Sequence, residues 1–471
     1  MSDDSPDIQL FKKQENIYPK RVSGLYRNLK WIAMGITLAI YYLTPFVRWD
    51  RGDHVPNQAV LLDMVNGRAY WFWFEIWPQE VYILTGILVL AAVALFFVTS
   101  LFGRVWCGYL CFQTVWTDLF VWVERIIQGD RNKRKKLREG PWTWKKIYKL
   151  ATTHFLWLVI SWFTAGSFVL YFTDAPTLVR SFIDLNVSTT VLGFIGGLTF
   201  STYLMAGFAR EQVCTFMCPY ARFQSAMFDK DTLIIGYDVK RGEPRGKHKK
   251  GESWDDKGHC ISCTACVQVC PMGIDIRDGL QMDCIACGLC IDACDDIMDK
   301  VDLPRGLIRY DTENGFENGA NVESKTNVIF RPRTAYYLAI LSVVCIIVFY
   351  ALFARSMLEM TVLHDRNPIF VQLSGGDIRN GYEVKILNKT HDHREYTLGV
   401  GGLDGAEISV NTAGDINEST LVVHANSVGQ YRIFVHAPIK PSQPHDIIFT
   451  ITDNEDGTVY EYKSVFISRR P

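Results

Sequence analysis

Two runs of four closely spaced cysteines constrain this chain more than any other feature. The runs are Cys260, Cys263, Cys266 and Cys270, with Pro271 behind, and Cys284, Cys287, Cys290 and Cys294. This is the C-x2-C-x2-C-x3-C-P spacing of bacterial iron–sulfur proteins, in which the fourth cysteine of each run binds the cluster of the other run. The spacing therefore predicts two [4Fe–4S] clusters and a protein that moves electrons one at a time.

The crossing rule divides the eight thiols into two ligand sets. One cluster would take Cys260, Cys263, Cys266 and Cys294, and the other would take Cys284, Cys287, Cys290 and Cys270. Zinc and disulfides explain the pattern less well, because structural zinc usually binds paired C-x2-C knuckles. Asp295 stands where the second run would carry its proline, which leaves the shape of that exit turn open.

Five apolar stretches approach the roughly 20 residues that a helix needs to cross a bilayer. They are Trp31 to Val47, Val81 to Leu101, Thr152 to Phe172, Thr189 to Ala209 and Thr334 to Ala354. Each is nearly free of charge, which predicts an α-helical transmembrane bundle. A charged arm precedes the first stretch and no small-residue cleavage site follows it, so it does not read as a cleaved signal peptide.

The distribution of lysine and arginine predicts the orientation of these spans. Basic residues are concentrated in the N-terminal arm and in the segment from Arg104 to Lys149, while the segment from Arg48 to Glu80 is poor in them. Basic segments stay in the cytoplasm. The N-terminus and the cluster-binding segment are therefore expected in the cytoplasm, and the residues after Ala354 in the periplasm.

A second cysteine pattern ends the second and fourth spans. Cys107 and Cys111 form one C-x3-C pair, and Cys214 and Cys218 form another, 107 positions later. We interpret this as an internal repeat of a two-span unit. If each motif continues its helix, the two cysteines of a pair share one face, and the four thiols could converge. Arg104 and Arg210 precede the pairs and are expected to lower the cysteine pKa values.

Several roles remain open for these four cysteines. Soft thiolates select Cu(I), zinc or iron–sulfur clusters, so the pairs could bind copper, hold a third cluster or form a redox disulfide. They could also be ordinary small buried residues, which is the expectation for the lone Cys345. Haem b is not expected, because His154 is the one histidine within the spans, and no nucleotide-binding motif is present. The electron donor could be another protein, a quinol or a small reductant.

The remaining segments complete the expected arrangement. Residues 1–30 form a cytoplasmic arm, 31–228 a four-span membrane domain, 229–304 a linker and ferredoxin-like domain, 305–333 a second linker, 334–354 the fifth span and 360–471 a β-sandwich.

The basic run from Lys240 to Lys250 indicates a solvated linker and not a nucleic-acid site. Alternating apolar residues and turn signals predict an all-β tail. Its strands are expected at Tyr382–Leu387, Tyr396–Val400, Ser419–His424, Tyr431–Val435, Ile447–Ile451 and Val459–Ile467. Its scattered histidines are expected at the surface and not in a metal site.

The whole chain resembles the cytochrome c oxidase accessory protein family, CcoG, also called FixG or RdxA. The resemblance rests on the order of the segments, on W-C-G-x-x-C at Trp106–Cys111 and on C-x3-C-P at Cys214–Pro219. It implies a multi-pass protein of the bacterial inner membrane that reduces Cu(II) to Cu(I) for maturation of cbb3-type cytochrome oxidase. It also implies an immunoglobulin-like C-terminal domain.

These observations lead to one favoured function and two alternatives. The favoured function is a cupric reductase in which two [4Fe–4S] clusters supply electrons to copper, as substrate or bound metal, at Cys107, Cys111, Cys214 and Cys218. The alternatives are a quinol-linked electron-transfer subunit that does not act on copper, and an assembly scaffold for the oxidase. Expected partners are the lipid bilayer, copper, oxidase subunits or assembly factors, an electron donor that the sequence does not identify, and a second copy of the chain.

Overall fold

Five helices in the described part of the chain are long and apolar enough to cross a membrane: Leu25–Phe46, Pro78–Phe102, Trp144–Val169, Thr189–Met217 and Pro332–Phe353. They overlap the five apolar stretches of the sequence, so the prediction of five candidate spans is confirmed. The computed structural model describes residues 17–52, 55–248, 254, 257–318, 331–411, 420–438 and 444–468. The length and composition of these helices make the chain a membrane protein.

The first and third spans begin earlier than predicted, at Leu25 and Trp144. Arg27 and Lys30, which the prediction left in the N-terminal arm, therefore lie inside the first helix and are buried there. Asp118 lies 2.8 Å from the Arg27 guanidinium and 3.8 Å from the Lys30 amine. Buried charges are tolerated when they are paired. The sequence prediction began the span too late because local hydropathy does not show that a charged residue has a partner far away in the sequence.

The second and fifth spans present apolar surface outward. Only 6% of an apolar 18-residue window in each span is buried within the protein, and Leu88 and Ile346 are 62% and 68% exposed. A soluble helix would bury such residues, whereas a membrane helix places them against acyl chains. This exposure supports the assignment of both helices as lipid-facing spans.

The chain divides into two units, and the first comprises residues 1–47 and 58–349. Its helices are α1 (Leu25–Leu43), α2 (Val81–Phe102), α3 (Val105–Tyr109), α4 (Phe112–Gln128), α5 (Arg131–Glu139), α6 (Trp144–Val169), α7 (Ala175–Ile183), α8 (Thr189–Leu204), α9 (Arg210–Gln212), α10 (Pro219–Met227), α11 (Val239–Gly242), α12 (Ala265–Val269), α13 (Leu289–Lys300), α14 (Glu313–Asn318) and α15 (Pro332–Phe353). Strands β1 (Val60–Asp63), β2 (Arg68–Trp71) and β3 (Phe74–Ile76) form an antiparallel sheet before α2.

Aromatic packing holds α4, α6 and the end of α8 together. The rings of Phe120 and Trp157 stack with centroids 5.1 Å apart, and the Trp157 indole donates a hydrogen bond to the Phe120 carbonyl. Gly207 allows the close approach, because a Cβ there would lie 3.1 Å from the Trp157 ring. This packing places the ends of the two predicted repeats side by side.

The cluster-binding segment forms a small domain between α10 and α15. Strand β4 (Ile234–Tyr237) precedes both cysteine runs and pairs antiparallel with β5 (Ile308–Asp311), which follows them. Helix α12 carries part of the first cysteine run, and helix α13 carries part of the second. Both helices pack against the β4–β5 ribbon in an apolar cluster that includes Ile235, Met298 and Leu307. The ribbon therefore closes the ferredoxin-like domain that the cysteine spacing predicted.

The second unit comprises residues 48–57 and 350–471 and is an all-β sandwich. Its strands are β6 (Leu358–His364), β7 (Val371–Gln372), β8 (Ile378–Asn388), β9 (Arg394–Gly401), β10 (Glu407–Asn411), β11 (Thr420–Val423), β12 (Ser427–Ala437), β13 (His445–Asp453) and β14 (Val459–Phe466). One sheet has the order β10-β12-β8-β6, with β7 paired to β8, and the other β11-β9-β13-β14. Tyr382, Phe449 and Ile433 are fully buried between the sheets. The predicted β-sandwich is confirmed.

Some predicted features fall outside the described residues. Among them are the basic residues Lys12 and Lys13 of the N-terminal arm, part of the basic run at Lys249 and Lys250, and residues 319–330 of the second linker. Ser419, the first residue of one predicted strand, is also outside them.

Candidate metal centres

The first predicted ligand set lines a single pocket. Cys260, Cys263, Cys266 and Cys294 all face it, together with apolar residues that include Ile297 and Leu307. Ser262 and Thr264 have positive φ values of 56° and 55°, so the chain turns tightly between the cysteines of the first run. Cys294 reaches the pocket from α13, which packs beside α12. The fourth thiol thus comes from the other run, as the crossing rule predicts.

The second ligand set lines a neighbouring pocket. Cys270, Cys284, Cys287 and Cys290 contribute to its wall, and Cys266 lies on the boundary that the two pockets share. Ala286 and Gly288 have positive φ values of 51° and 75°, and they turn the second run as Ser262 and Thr264 turn the first. The two runs therefore have matching local geometry, and each completes the other's site.

The residues present fit iron–sulfur clusters. Each pocket is mainly apolar and brings four thiols to one place, which is the donor set that a [4Fe–4S] cluster requires. Within the described residues, no three His, Cys, Asp or Glu side chains are grouped so as to hold a single metal ion. The spacing of these thiols therefore fits a group that is larger than a single metal ion.

Burial dominates the titration of these thiols. It raises the pKa of Cys266 and Cys284 to about 11 and that of Cys270 and Cys294 to about 12. The pKa of Cys290 is also raised well above its usual value, because its side chain is surrounded by protein and by other thiols. Buried thiols of this kind are neutral unless a cation joins them.

The C-x3-C pairs do not continue their helices, which corrects the prediction. Helix α2 ends at Phe102 because Gly103 has a φ of 61°, and Cys107 lies on the separate short helix α3. Cys111 is the N-cap of α4 and has an extended backbone. The shared helical face expected for an i, i+4 pair is therefore absent from the first motif.

The second pair repeats this arrangement. Cys214 lies in a π-helical segment, Val213–Met217, and Cys218 is the N-cap of α10 with an extended backbone. Pro219 occupies the first position of α10, where its missing N–H costs nothing. Arg210 has a φ of 35° and interrupts the span, as Gly103 does in the first copy. In both copies the second cysteine starts a new helix.

The four thiols nevertheless lie in one region where the two copies meet, although no three of them are grouped closely enough in this structure to hold a single metal ion. Cys107 interacts electrostatically with Cys111 and Cys218, and Cys214 interacts with all three of the other sulfurs. Gln224 of α10 is fully buried, and its side-chain amide lies 3.4 Å from the Cys107 sulfur. Gln224, which belongs to the second copy of the repeat, therefore contacts Cys107 of the first copy.

The two arginines do not act on the thiols as expected. Arg104 donates hydrogen bonds to the carbonyls of Met282 and Ala221, and Arg210 pairs with Glu124 at 2.6 Å. Burial raises the pKa of Cys107 to about 11, and the opposing effect of Arg104 is smaller. The predicted lowering of the Cys107 pKa is wrong, because desolvation outweighs a guanidinium that binds elsewhere.

The first C-x3-C motif lies directly against the second cysteine run. A Cβ on Gly108 would lie 2.7 Å from the carbonyl oxygen of Ile285 and 3.1 Å from the Cα of Cys287. The phenol of Tyr109 donates a 3.1 Å hydrogen bond to the Cys287 carbonyl. Cys107 and Cys287 also belong to one apolar cluster. The two thiol sites therefore share a wall.

Sequence reasoning missed two acidic residues on α4 that organise this region. Asp118 pairs with Arg27 and Lys30 of α1. Glu124 accepts from Arg134 at 2.8 Å and from Arg210 at 2.6 Å. Both carboxylates are buried. The sequence did contain a sign of their importance, because these two acids interrupt an otherwise amphipathic helix that begins at a cysteine of the C-x3-C motif.

A small chamber with charged walls connects this network to the thiols. Lys30, Asp118, Arg125, Arg210 and Glu211 line it together with Cys214, and Pro271 and Met272 close it from the cluster-binding domain. Its volume of about 40 Å³ admits a few waters or a hydrated ion and no larger organic molecule. We refer to it as the charged chamber.

Cys345 and the histidines singled out by the sequence do not line the two cysteine pockets described above. Cys345 is on α15, and His154 contacts the Tyr203 hydroxyl at 3.0 Å. In the sandwich, His393 and His424 are exposed, with ring nitrogens 3.0 Å apart. Two imidazoles are fewer than the three protein ligands that zinc sites require.

Three protein-family descriptions match segments of the chain. A 4Fe-4S binding domain matches residues 84–134, a 4Fe-4S dicluster domain matches 209–313, and the "IG-like fold at C-terminal of FixG" matches 348–469. Both cysteine runs and both C-x3-C pairs fall inside the two iron–sulfur matches.

Curated relatives are similar over nearly the whole chain. Nitrogen fixation protein FixG of Rhizobium meliloti (strain 1021) is 44% identical over 461 residues, covering 91% of this chain and 88% of that protein. Protein RdxB of Cereibacter sphaeroides is 45% identical and covers 99% of both chains. A crystal structure of a FixG-related protein from Vibrio parahaemolyticus matches 25% of this chain and 100% of its own, at 26% identity and a TM-score of 0.22.

The fold and the sulfur sites define a membrane-bound iron–sulfur electron-transfer protein. Its spans, its dicluster domain and its immunoglobulin-like tail are each supported by independent observations. The chain belongs to the FixG/RdxA family, as the resemblance predicted.

Proposed function

We propose that this protein is a cupric reductase, which converts Cu(II) to Cu(I) for the maturation of cbb3-type cytochrome oxidase. The supporting observation is the shared wall between the two kinds of thiol site, where Cys107 and Cys287 belong to one apolar cluster. Electrons held by the cluster-binding domain would have a short path to copper at the C-x3-C cysteines. The proposed copper ligands are Cys107, Cys111, Cys214 and Cys218.

The thiol chemistry explains why reduction and capture would occur together. [4Fe–4S] clusters held by the eight cysteines of the two runs would supply electrons one at a time. Thiolates bind Cu(I) better than Cu(II), so a four-thiol site raises the reduction potential of the copper that it binds. Each Cu(II) takes one electron and remains bound as Cu(I).

The same cysteines permit a variant route. Two thiols that form a disulfide release two electrons and two protons, which is enough to reduce two Cu(II) ions. The resulting disulfide would then need two electrons from the clusters before the next cycle. In this variant the C-x3-C cysteines are the direct reductant, and the clusters regenerate them.

Serine substitutions test the assignment of the copper site. We expect Cys107→Ser and Cys214→Ser to abolish Cu(II) reduction by the purified protein while the visible absorbance of the clusters remains. Cys345→Ser is the matched control, because that cysteine lies in the middle of α15, away from the motif cysteines. Copper reduction at the wild-type rate in the two motif variants would refute the assignment.

The family matches favour a second candidate for the four convergent thiols, namely a third [4Fe–4S] cluster. Cys107 and Cys111 lie within one 4Fe-4S match, and Cys214 and Cys218 within the other. Iron analysis separates the two candidates, because two clusters contain about eight irons and three contain about twelve. A loss of about four irons in Cys107→Ser would favour the third cluster.

The orientation of the protein is part of the proposal. We propose that the N-terminus and the cluster-binding domain are cytoplasmic, because basic segments tend to stay on that side, and that the five candidate spans then leave the sandwich in the periplasm. Reporter fusions after Met227 and after Phe466 test this topology. Both fusions reporting the same compartment would contradict it.

The sandwich is proposed as the module that contacts the oxidase or its assembly factors. Its immunoglobulin-like fold has a complete core of its own, so it does not need the metal centres to fold. Deletion of residues 360–471 should stop oxidase maturation while copper reduction by the remaining protein persists. Normal maturation after the deletion would remove the support for this role.

A further inference from the structure

A large cavity lies inside the membrane bundle and has no role in the function proposed above. Its volume is about 500 Å³, which is within the range of pockets that bind small organic ligands. Residues of α1, α4, α6 and α8 and the segment that follows α8 line it. We refer to it as the bundle cavity.

The lining of the bundle cavity is amphipathic. Most of it is apolar and aromatic, including Phe112, Phe168 and Leu198. Three polar side chains are grouped on one wall: the Tyr41 hydroxyl donates to the Thr164 carbonyl at 2.8 Å, and the Trp116 indole donates to the Thr164 hydroxyl at 2.7 Å. A ligand that matches this lining has a flat, mainly apolar ring with a few polar atoms.

Gln113 supplies a further polar group that points to a ligand. Its side chain is buried, and its NH2 group donates to the carbonyls of Met205 and Arg210 at 2.9 and 3.2 Å. Within the described residues no hydrogen bond to its amide oxygen is found, and this oxygen is not among the fully buried unpaired atoms, so it is open to one of the two cavities that Gln113 lines. The oxygen is therefore available to accept a hydrogen bond from a ligand hydroxyl.

The bundle cavity is adjacent to the thiol site. Leu110 and Phe112, the two neighbours of Cys111, both line it. Gln113 lines both the bundle cavity and the charged chamber, where Cys214 is found. A molecule in the bundle cavity would thus be separated from the convergent thiols by a single layer of residues.

We propose that the bundle cavity binds an isoprenoid quinol, which is the electron donor of the protein. The inference rests on the proposed function, because that function requires a reductant and the lipid phase holds this class of redox carrier. Oxidation to the quinone releases two protons to water and two electrons, which reduce two Cu(II) ions by way of the sulfur centres. The ring would stack on the aromatic wall, with one hydroxyl donating to the Gln113 amide oxygen.

Quinone analysis of the purified full-length protein tests the proposal. We expect about one quinone per wild-type chain, and about a tenfold loss in Ser201→Phe, which overfills the bundle cavity. Leu192→Phe is the control, because Leu192 is exposed on the same helix and does not line the bundle cavity. Equal quinone content in the three proteins would overturn the proposal.

Photolabelling of the wild-type protein does not depend on any variant folding. An azidoquinone should label peptides containing residues 110–116 and 198–206, and excess unlabelled quinone should compete. Labelling elsewhere, or recovery of phospholipid alone from the protein, would show that the bundle cavity holds no quinone. Reduction of Cu(II) by protein whose clusters were first reduced with dithionite, after the excess dithionite has been removed, tests the proposed function separately, since no quinol is then needed.

Discussion

The hydroxyl group of Tyr109 donates a hydrogen bond to the backbone carbonyl of Cys287, with an oxygen–oxygen distance of 3.1 Å. Tyr109 belongs to the first C-x3-C motif and Cys287 to the second cysteine run, and 178 positions separate them. Tyr310 donates to the neighbouring carbonyl of Ala286. Tyr109 thus fixes the cluster-binding loop to the thiol site, and Tyr310 of β5 holds the same loop from within its own domain; both bonds end on backbone carbonyls, which cysteine substitutions leave in place.

Gly108→Ala tests whether this junction serves electron transfer. The new Cβ would lie 2.7 Å from the Ile285 carbonyl, so the loop must move away, at a cost of roughly 1–3 kcal/mol. We expect slower copper reduction with the cluster absorbance retained, measured on the same preparation. Gly197→Ala is the matched control, because nothing lies within 4 Å of a Cβ there. A wild-type rate in Gly108→Ala would show that the contact is dispensable.

Asp118→Asn should destabilise the membrane domain. The carboxylate pairs with Arg27 and Lys30, and all three side chains are buried. Removing one partner of a buried ion pair commonly costs about 3–5 kcal/mol. Thermal unfolding in detergent measures the loss. Glu139→Gln is the control, because its pair with Lys135 is exposed and worth about 0–1 kcal/mol. Similar melting temperatures for both variants would contradict the expectation.

The same carboxylate predicts a dependence of stability on pH. Burial alone would raise the pKa of Asp118, but Lys30 and Arg27 outweigh it and lower the pKa below its ordinary value. A lowered pKa means that the stabilisation is complete above about pH 4, the unfolded value, and is lost as the pH falls through the folded value. Unfolding scans between pH 7 and pH 3 should show a smaller acid dependence in Asp118→Asn. An unchanged dependence would mean that other carboxylates control acid unfolding.

Glu124→Gln should affect the second C-x3-C motif specifically. Glu124 neutralises Arg134, whose side chain is 1% exposed, and Arg210, which interrupts the fourth span. Without the charge, two guanidinium groups are left beside one neutral amide, which we expect to loosen the segment before Cys214. Alkylation of Cys214 and Cys218, followed by mass spectrometry, should become faster, while that of Cys345 stays constant. Uniform rates at all three cysteines would argue against this link.

The sandwich has a core that should respond to truncation. Phe449 is fully buried between the sheets, and its replacement by alanine should cost about 3–5 kcal/mol. Val459→Ala is the control, since Val459 is 56% exposed and its substitution should change stability by less than about 0.5 kcal/mol. Limited proteolysis of the full-length protein should detect cleavage after residue 358 only in Phe449→Ala. Resistance to proteolysis in that variant would mean that the stability of the sandwich depends on residues other than Phe449.

The sequence alone was sufficient to predict the five candidate spans, the 4Fe-4S domain and the β-sandwich. Each of these depends on a pattern within a short stretch, such as the spacing of Cys260 to Cys270 or the apolar run that becomes α15. Local patterns are readable because helix period, strand alternation and ligand spacing repeat along neighbouring residues. The internal repeat was also visible, because both copies keep the same cysteine spacing.

The tertiary structure decided which distant residues meet. It ends α2 at Phe102 and the fourth span at Met217, so the second cysteine of each C-x3-C pair is the N-cap of a new helix and the pair does not share one helix face. It buries Arg27 beside Asp118 and turns Arg104 away from the thiols. These outcomes depend on how helices pack, and desolvation by that packing can outweigh the charge nearest in sequence, as at Cys107. The candidate cysteine ligands could therefore be recognised in the sequence. Which thiols meet, whether they are protonated and how close they lie were determined only by the fold.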